Sequence, residues 1–318
     1  MISNDTPPRL IAIDMDGTLL NSEGQVSSAN RAAIRAAEEA GCEVVIATGR
    51  RHSFAMQPLR TLGLNPAHAL ISSNGTVIRS VNADLLHRSH LSVASARWLV
   101  EHADEFRSAM VFTFDRVQPS GFDHRGALVA LHEHELNDNI GRWMEANRPY
   151  FEYVDKLESS LANEDDAPIQ AMLCGSLERM EAALNRLLES QRVAMAGEET
   201  DASEITIHRT AYPGKDLMIV DILPARCSKA SALEILAKMR GCTAEDVVAI
   251  GDNWNDLPML EYAGRPIVMA NAVDSLLDLG HERGWLIAPS NDEDGVQWAI
   301  EQCLANPAQC LAQPAAGA

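Results

Sequence analysis

The stretch Leu10-Ile-Ala-Ile-Asp14-Met-Asp16-Gly17-Thr-Leu-Leu20 decides how this chain folds. An apolar run ends at one aspartate, a second follows two positions on, and Gly17 then lets the backbone turn sharply away. A run without alternation suits a strand buried on both faces. In an extended segment residues i and i+2 point the same way, so both carboxylates are expected to face one site at the strand's carboxyl end. Such a pair can hold a hard cation through oxygen, or one carboxylate can attack while the other transfers a proton.

Other runs share this design. Val44-Val-Ile-Ala47 leads into Thr48, Ala69-Leu-Ile71 passes through Ser72 and Ser73 into Asn74, and Val247-Val-Ala-Ile250 passes through Gly251 into Asp252. Ile267–Met269 continues the series. Helical stretches lie between them: Ser27–Ala40, closed by Gly41, and Ser228–Arg240, followed by Gly241. This alternation predicts an α/β fold with a doubly wound, mostly parallel sheet. Open α/β sheets bind ligands at the carboxyl ends of their strands. Asp14, Thr48, Asn74 and Asp252 are therefore expected to meet in one crevice. Strands often end in turn-forming polar residues, but that habit does not account for this mix at successive strand ends.

Between residues 84 and 218 the pattern changes. Val111-Phe-Thr-Phe114 and Glu204-Ile-Thr-Ile-His208 alternate as half-buried antiparallel strands do. Arg179–Gln191 is amphipathic, with Met180, Leu184, Leu187 and Leu188 on one side. The expected organisation is a core of residues 1–83 and 219–318, interrupted by an inserted α+β domain over 84–218.

The chain has 318 residues, with 26 Lys and Arg against 45 Asp and Glu and a formal net charge of −19. That length suits about two domains, and the acidic balance argues against nucleic acid or an anionic membrane as partner. Hydrophobic residues make up 46% and charged residues 22%, which excludes wholesale disorder. No apolar run approaches the roughly 18 residues of a membrane span. Asp5, Pro7 and Pro8 stand where a signal peptide would be basic and then apolar. Cys42, Cys174, Cys227, Cys242, Cys303 and Cys310 include no C-x-x-C pair and read as buried thiols in a reducing compartment, so a cytoplasmic location is expected. Met1–Pro8 and the stretch from Asn306 to Ala318 read as loose tails.

Gly251-Asp-Asn-Trp-Asn-Asp256 supplies two more carboxylates at another strand end. Asp14, Asp16, Asp252 and Asp256 in one crevice repel each other and need a cation to stay ionised. The donors are all oxygens and no His or Cys stands nearby in sequence, which favours Mg²⁺ over zinc. Mg²⁺ held this way leaves positions for a phosphate oxygen and water. Lys229 follows Ser228 at a helix start, where its charge adds to exposed N–H groups and the positive end of the helix dipole. On its own, such a lysine reads as a surface residue. Thr48-Gly49-Arg50 offers a hydroxyl and backbone N–H groups to the same anion.

Asp14-x-Asp16-Gly-Thr, Thr48-Gly-Arg50, Lys229 and Gly251-Asp-x-x-Asn-Asp256 fall in the order of the four haloacid dehalogenase superfamily motifs, a family this chain resembles. Ile71-Ser-Ser-Asn-Gly75, Val268-Met-Ala-Asn-Ala272 and Asn291-Asp-Glu-Asp-Gly-Val296 look like its Cof-like subfamily, which carries a type IIB cap. The resemblance covers both core segments. Ala230 stands where that family often has Gly, and Trp254 where Glu is common; neither change removes a reacting group. The resemblance implies that Asp14 is the nucleophile and forms an aspartyl-phosphate. Asp16 would protonate the leaving oxygen and then deprotonate water. Asp14, the Asp16 backbone carbonyl and Asp252 would hold Mg²⁺, with Asp256 steadying its water shell. Thr48, Gly49, Arg50 and Lys229 would hold the phosphoryl oxygens, and Asn74, Gly75 and Asn255 would also contact substrate. The insert would be the cap that selects the substrate, with His124 and Arg125 as candidate contacts.

The function implied is a Mg²⁺-dependent phosphatase of small phosphorylated metabolites, sugar phosphates foremost. A phosphotransferase or phosphomutase that passes the phosphoryl group to a sugar is the alternative, as is a non-catalytic phosphometabolite-binding regulator. Pro213-Gly-Lys215 lacks the rest of a P-loop, and no G-x-G-x-x-G offers a dinucleotide site. His124, His132 and His134 read as a solvated face of the insert rather than a zinc site.

Overall fold

Asp14 closes the first strand of a computed structural model that describes residues 7–136 and 140–311. The chain begins with β1 (Leu10–Asp14), α1 (Ser28–Glu39), β2 (Glu43–Ala47), α2 (His52–Leu59), β3 (Ala69–Ser72), β4 (Val77–Ser80) and β5 (Leu85–Arg88). The middle of the chain forms α3 (Val93–His102), β6 (Met110–Thr113), β7 (Leu128–Leu131), α4 (Gly141–Asn147), β8 (Phe151–Val154), β9 (Gln170–Gly175), α5 (Leu177–Leu188), β10 (Val193–Met195), β11 (Ile205–Tyr212) and β12 (Leu217–Pro224). The last part forms α6 (Lys229–Met239), β13 (Val247–Gly251), α7 (Leu257–Tyr262), β14 (Arg265–Met269), α8 (Asp274–Glu282), β15 (Leu286–Ala288) and α9 (Gly295–Ala305). One unit is built from the chain up to Leu86 and from Ser228 onward, and the other from His87–Cys227.

In the first unit the sheet order is β15-β14-β13-β1-β2-β3-β4-β5. Pairing is parallel from β15 through β3, and β4 runs antiparallel to β3. Successive residues of β1 enter opposite cores, which is why its run need not alternate. Ile11 and Ile13 join Ile46 and Ile250 against Ile34 of α1 and Ile300 of α9. Leu10 and Ala12 join Val45 and Ala249 against Leu233 and Leu236 of α6 and Leu260 of α7. Helices on both faces make the sheet doubly wound. The chain leaves β1 toward β2 on one side and returns to β13 on the other, so Asp14 lies where the strand order reverses.

Both expected core helices form, and each is capped by serine. The Ser27 side chain accepts from the Asn30 N–H at the start of α1. At the start of α6, Ser228 and Ser231 form a reciprocal capping box. Loss of such a cap costs about 1 kcal/mol.

In the second unit the order is β10-β11-β12-β9-β6-β7-β8. The expected boundary at residue 218 is too early. β12 pairs antiparallel with β11 from Leu217 to Pro224, and also with β9, so residues 219–227 belong to the insert. β6 was expected to be half-buried, yet all of its residues are buried. Met110 and Phe112 enter a core with Leu99 of α3 and Leu184 of α5, while Val111 enters a second cluster with Phe151 and Ile140. Alternation there separates two apolar environments instead of core from solvent.

The expected loose tails lie largely outside the described residues. Within them, Pro307–Cys310 forms a single helical turn whose Cys310 is buried in the core, so the chain stays ordered beyond Asn306. All six cysteines are buried thiols outside any disulfide. No helix among the described residues is long and apolar enough to cross a membrane.

Candidate active site

Asp14 ends β1, Asp252 follows β13, and Asp256 stands at the start of α7; all are buried. One carboxylate oxygen from each lies within 4.8 Å of the others. Lys229 reaches in from the first turn of α6 and is 1% exposed, which overturns its reading as a surface lysine. Its Nζ lies 2.5 Å from Asp14 Oδ1 and 2.6 Å from Asp256 Oδ1. Asp256 Oδ2 accepts from the backbone N–H groups of Asp252 and Asn253, each at 3.0 Å. Thr18 Oγ1 donates to Asp252 Oδ1 at 2.7 Å.

Two glycines make this convergence possible. Gly17 has φ +87°, and a Cβ there would come within 2.4 Å of Asp252 Oδ2. Gly75 has φ +99°, and a Cβ would lie 2.1 Å from the Ser228 carbonyl oxygen, just ahead of Lys229.

One ammonium faces three carboxylates. Burial, then repulsion from Asp256, raises the Asp14 pKa well above the usual carboxylate range, and Lys229 only partly offsets this. Burial and Asp256 likewise push Asp252 up to about 7 against the hydrogen bond from Thr18. Burial works against the charged form of Lys229, but Asp14 and Asp256 outweigh it and its pKa is raised. Such a cluster is short of positive charge. Its buried, all-oxygen donors fit a hard divalent cation better than zinc.

Asp16 departs from expectation. β1 stops at Asp14 and the backbone turns at Gly17, so the rule that residues i and i+2 face one side no longer holds. The Asp16 side chain is 55% exposed, and its carboxylate lies outside the group of three acids. It is gripped by Arg50 instead, with Nε donating to Oδ2 at 2.8 Å and Nη2 to Oδ1 at 2.5 Å. The Arg50 guanidinium also lies over the Phe54 ring, 5.0 Å from its centroid.

Thr48, Gly49, Arg50, Asn74 and Gly75 form one backbone-linked assembly at the ends of β2 and β3. The Thr48 N–H donates to Ile71 O at 2.9 Å, Asn74 N–H to Thr48 O at 3.1 Å, and Ser73 N–H to Arg50 O at 2.9 Å. The Arg50 N–H donates to Thr48 Oγ1 at 3.1 Å. Asn255 Nδ2 lies 3.5 Å from Asn74 Oδ1, bringing the β13 loop to the same edge. A Cβ on Gly49 would lie 3.0 Å from Asn74 Oδ1. The strand-end residues Asp14, Thr48, Asn74 and Asp252 thus stand on one edge of one sheet, and Trp254 is 45% exposed there. In the other unit, His134 stacks on Tyr153 with ring centroids 5.5 Å apart. No histidine joins a group of three metal-ligating side chains among the described residues.

A model of the haloacid dehalogenase-like hydrolases matches residues 11–300. The chain belongs to that family. Among curated relatives, the 5-amino-6-(5-phospho-D-ribitylamino)uracil phosphatase YwtE of Bacillus subtilis is 30% identical over 310 residues, covering 93% of this chain and 98% of the relative. Phosphatase YwpJ of the same organism is 27% identical over 316 residues, covering 93% and 100%. A solved haloacid dehalogenase-like hydrolase from Bacteroides thetaiotaomicron aligns with a TM-score of 0.70 at 25% identity, covering 93% of this chain and 99% of that one. A subclass IIB sugar phosphatase of the superfamily shares the fold, with a TM-score of 0.66 at 17% identity, covering 92% and 98%. This haloacid dehalogenase-like hydrolase is an enzyme of the phosphatase type.

Sequence reasoning left two features of this hydrolase's site unassigned. Thr18 was visible in the quoted run, but nothing in its spacing showed that it would hold Asp252, which is 234 residues away. Arg50 was expected at the substrate through its turn, and no signal in the sequence showed that its guanidinium would grip Asp16.

Proposed function

We propose that the protein is a Mg²⁺-dependent phosphatase that hydrolyses small phosphorylated metabolites, sugar and polyol phosphates foremost, through an aspartyl-phosphate on Asp14. The observation that carries this reading is the buried Lys229 ammonium between Asp14 and Asp256, with Asp252 completing an oxygen cluster at the sheet's ligand edge. Phosphoryl transfer demands positioning and charge neutralisation more than covalent chemistry from the protein.

In the first step an Asp14 oxygen attacks phosphorus and the ester P–O bond breaks. Asp16, protonated, passes its proton to the leaving alcohol oxygen. In the second step Asp16, now a carboxylate, takes a proton from water, whose oxygen attacks phosphorus. The P–O bond to Asp14 breaks and inorganic phosphate leaves. Lys229, the Thr48 hydroxyl and the Gly49 backbone N–H would hold phosphoryl oxygens, while Asn74, Gly75 and Asn255 shape the edge beside them. Arg50 holds Asp16 in place between steps. Asp14, Asp252 and the Asp16 backbone carbonyl would hold Mg²⁺, with Asp256 supporting from behind; the ion would neutralise charge on the phosphoryl group.

The phosphatase names of the curated relatives favour water over a sugar hydroxyl as acceptor. The reading makes the His87–Cys227 unit the substrate selector, because the core residues named above address only the phosphoryl end. Buried thiols outside any disulfide fit a cytoplasmic setting. The test is phosphate release from a panel of sugar phosphates, polyol phosphates and nucleotides, with 5-amino-6-(5-phospho-D-ribitylamino)uracil included on the strength of the relative named for it. Release confined to Mg²⁺-containing reactions and absent in Asp14→Asn supports the reading. Turnover that survives excess chelator contradicts it.

A further inference from the structure

The loop that leaves β1 carries Asp16, and it is held from outside. Within the loop, Leu19 N–H donates to Asp14 O at 3.2 Å and Leu20 N–H to Met15 O at 2.9 Å. Two other loop carbonyls are taken by asparagine side chains from distant segments. Asn271 Nδ2, just after β14, donates to Gly17 O at 2.8 Å. Asn291 Nδ2, between β15 and α9, donates to Leu20 O at 2.8 Å. The two asparagines are joined, because the Asn291 N–H donates to Asn271 Oδ1 at 2.9 Å. The neighbouring Asp292 Oδ1 accepts from the Ser22 N–H at 2.8 Å.

The footing of this arrangement is stiff. Ser290 and Glu293 close a capping box, and Gly295 N–H donates to Ser290 O at 3.1 Å. A Cβ on Gly295 would lie 2.1 Å from the Pro289 carbonyl oxygen, so this turn has no slack. Ala270 N–H donates to Ala288 O at 2.9 Å, tying the Asn271 turn to β15. Asn271 itself is exposed, so apolar packing does not explain its place. Its partner carbonyl belongs to Gly17, flanked by Asp16 on one side and by Thr18, which holds Asp252, on the other. Gly17 sits at φ +87° and without a restraint has more backbone freedom than any other residue type.

We propose that Asn271 and Asn291 form a clasp of positioning residues, which fixes the Gly17 turn and through it holds Asp16 in place for proton transfer. The proposal rests on the phosphatase reading with Asp16 as general acid. Displacing a reacting group by about 1 Å can cost about a hundredfold in rate, so the clasp acts on kcat rather than on folding. The two asparagines work as one unit, and losing either opens it.

The test uses full-length Asn271→Ala, Asn291→Ala, the isosteric Asn271→Asp, which lacks the Nδ2 donor, and the double alanine variant. The rate of the first, phosphorylation step is measured in single turnover per folded enzyme on an alkyl phosphate and on an activated aryl phosphate, with Asp16→Asn as reference. The expected result is a loss of about 10- to 100-fold in this first-step rate on the alkyl phosphate and a clearly smaller loss on the aryl phosphate, whose leaving oxygen needs less protonation. KM and circular dichroism should change little, and the double variant should lose no more than the worse single one. Equal losses of first-step rate on both substrates, or an unchanged first-step rate, while Asp16→Asn still discriminates between them, would overturn the clasp and leave the phosphatase reading standing. Failure of Asp16→Asn to discriminate would overturn Asp16 as the acid, and the clasp with it. Failure of all the asparagine variants to fold would assign these residues to the scaffold and also overturn the proposal.

Discussion

Lys229 Nζ lies 2.5 Å from Asp14 Oδ1, joining the end of β1 to the first turn of α6 across 215 residues of sequence. A lysine this deeply buried is held as an ammonium by its acids, and it is the one protein cation in hydrogen-bonding distance of the cluster among the described residues. Its position explains how acids so close together coexist before any metal arrives.

Replacing it should expose that dependence. Lys229→Met keeps most of the length of the side chain and removes the charge, leaving Asp14 and Asp256 without their ammonium partner. Breaking a buried pair from one side costs about 3–5 kcal/mol. The loss of thermal stability should be larger at pH 8 than at pH 5, because the raised pKa of Asp14 lets it neutralise itself by protonation as the pH falls. Melting curves at the two pH values check this; equal losses would show that the ammonium does not balance these acids.

The acids also set a pH dependence for the metal-free protein. An acid whose folded pKa lies above its unfolded value favours the folded state while protonated and costs stability as the pH rises through that interval. Asp252, pushed up to about 7, and Asp14, also raised, therefore make the chelated protein lose stability between about pH 4 and pH 7. Mg²⁺ should stabilise little near pH 5 and progressively more toward pH 8, by linkage. Melting temperature against pH, with chelator and with Mg²⁺, measures the gap, which should widen with pH.

Arg50 grips both oxygens of Asp16, and that grip should matter for the proton rather than for the fold. Arg50→Lys keeps the charge but loses the two-pronged contact. The expected outcome is a decrease of about tenfold or more in the rate of the first, phosphorylation step on an alkyl phosphate, with a smaller one on an aryl phosphate and little change in melting temperature. Rates on the two substrates, compared within one variant, decide it.

Substrate choice should travel with the insert. Exchanging residues 87–227 for the corresponding segment of a phosphatase relative should shift the order of preference across a substrate panel while leaving hydrolysis of a small aryl phosphate within about tenfold. A preference order that stays with the core would place specificity there.

Much of this was legible because strand ends speak in single residues. Apolar runs without alternation gave away the parallel, doubly buried strands, and the polar residue closing each run pointed to one sheet edge. The insert was harder. Val111-Phe-Thr-Phe114 alternates, yet it separates two apolar clusters, and β12 resembles a core strand in composition although its partners are β9 and β11. Asp16 misled because the period of two ends where the strand ends. The Asn271–Gly17 contact joins residues 254 apart through one side-chain amide, and no periodicity encodes such a bond.

The central claim is that Asp14 takes the phosphoryl group. The direct measurement is acid quenching of the enzyme during turnover, followed by peptide mass analysis. The account predicts one added phosphoryl group on the peptide containing Asp14, absent from Asp14→Asn and accumulating when Asp16→Asn slows the second step on an aryl phosphate. Turnover at full rate with no phosphoryl group on Asp14 at any quench time, or with the label on another residue, would contradict it.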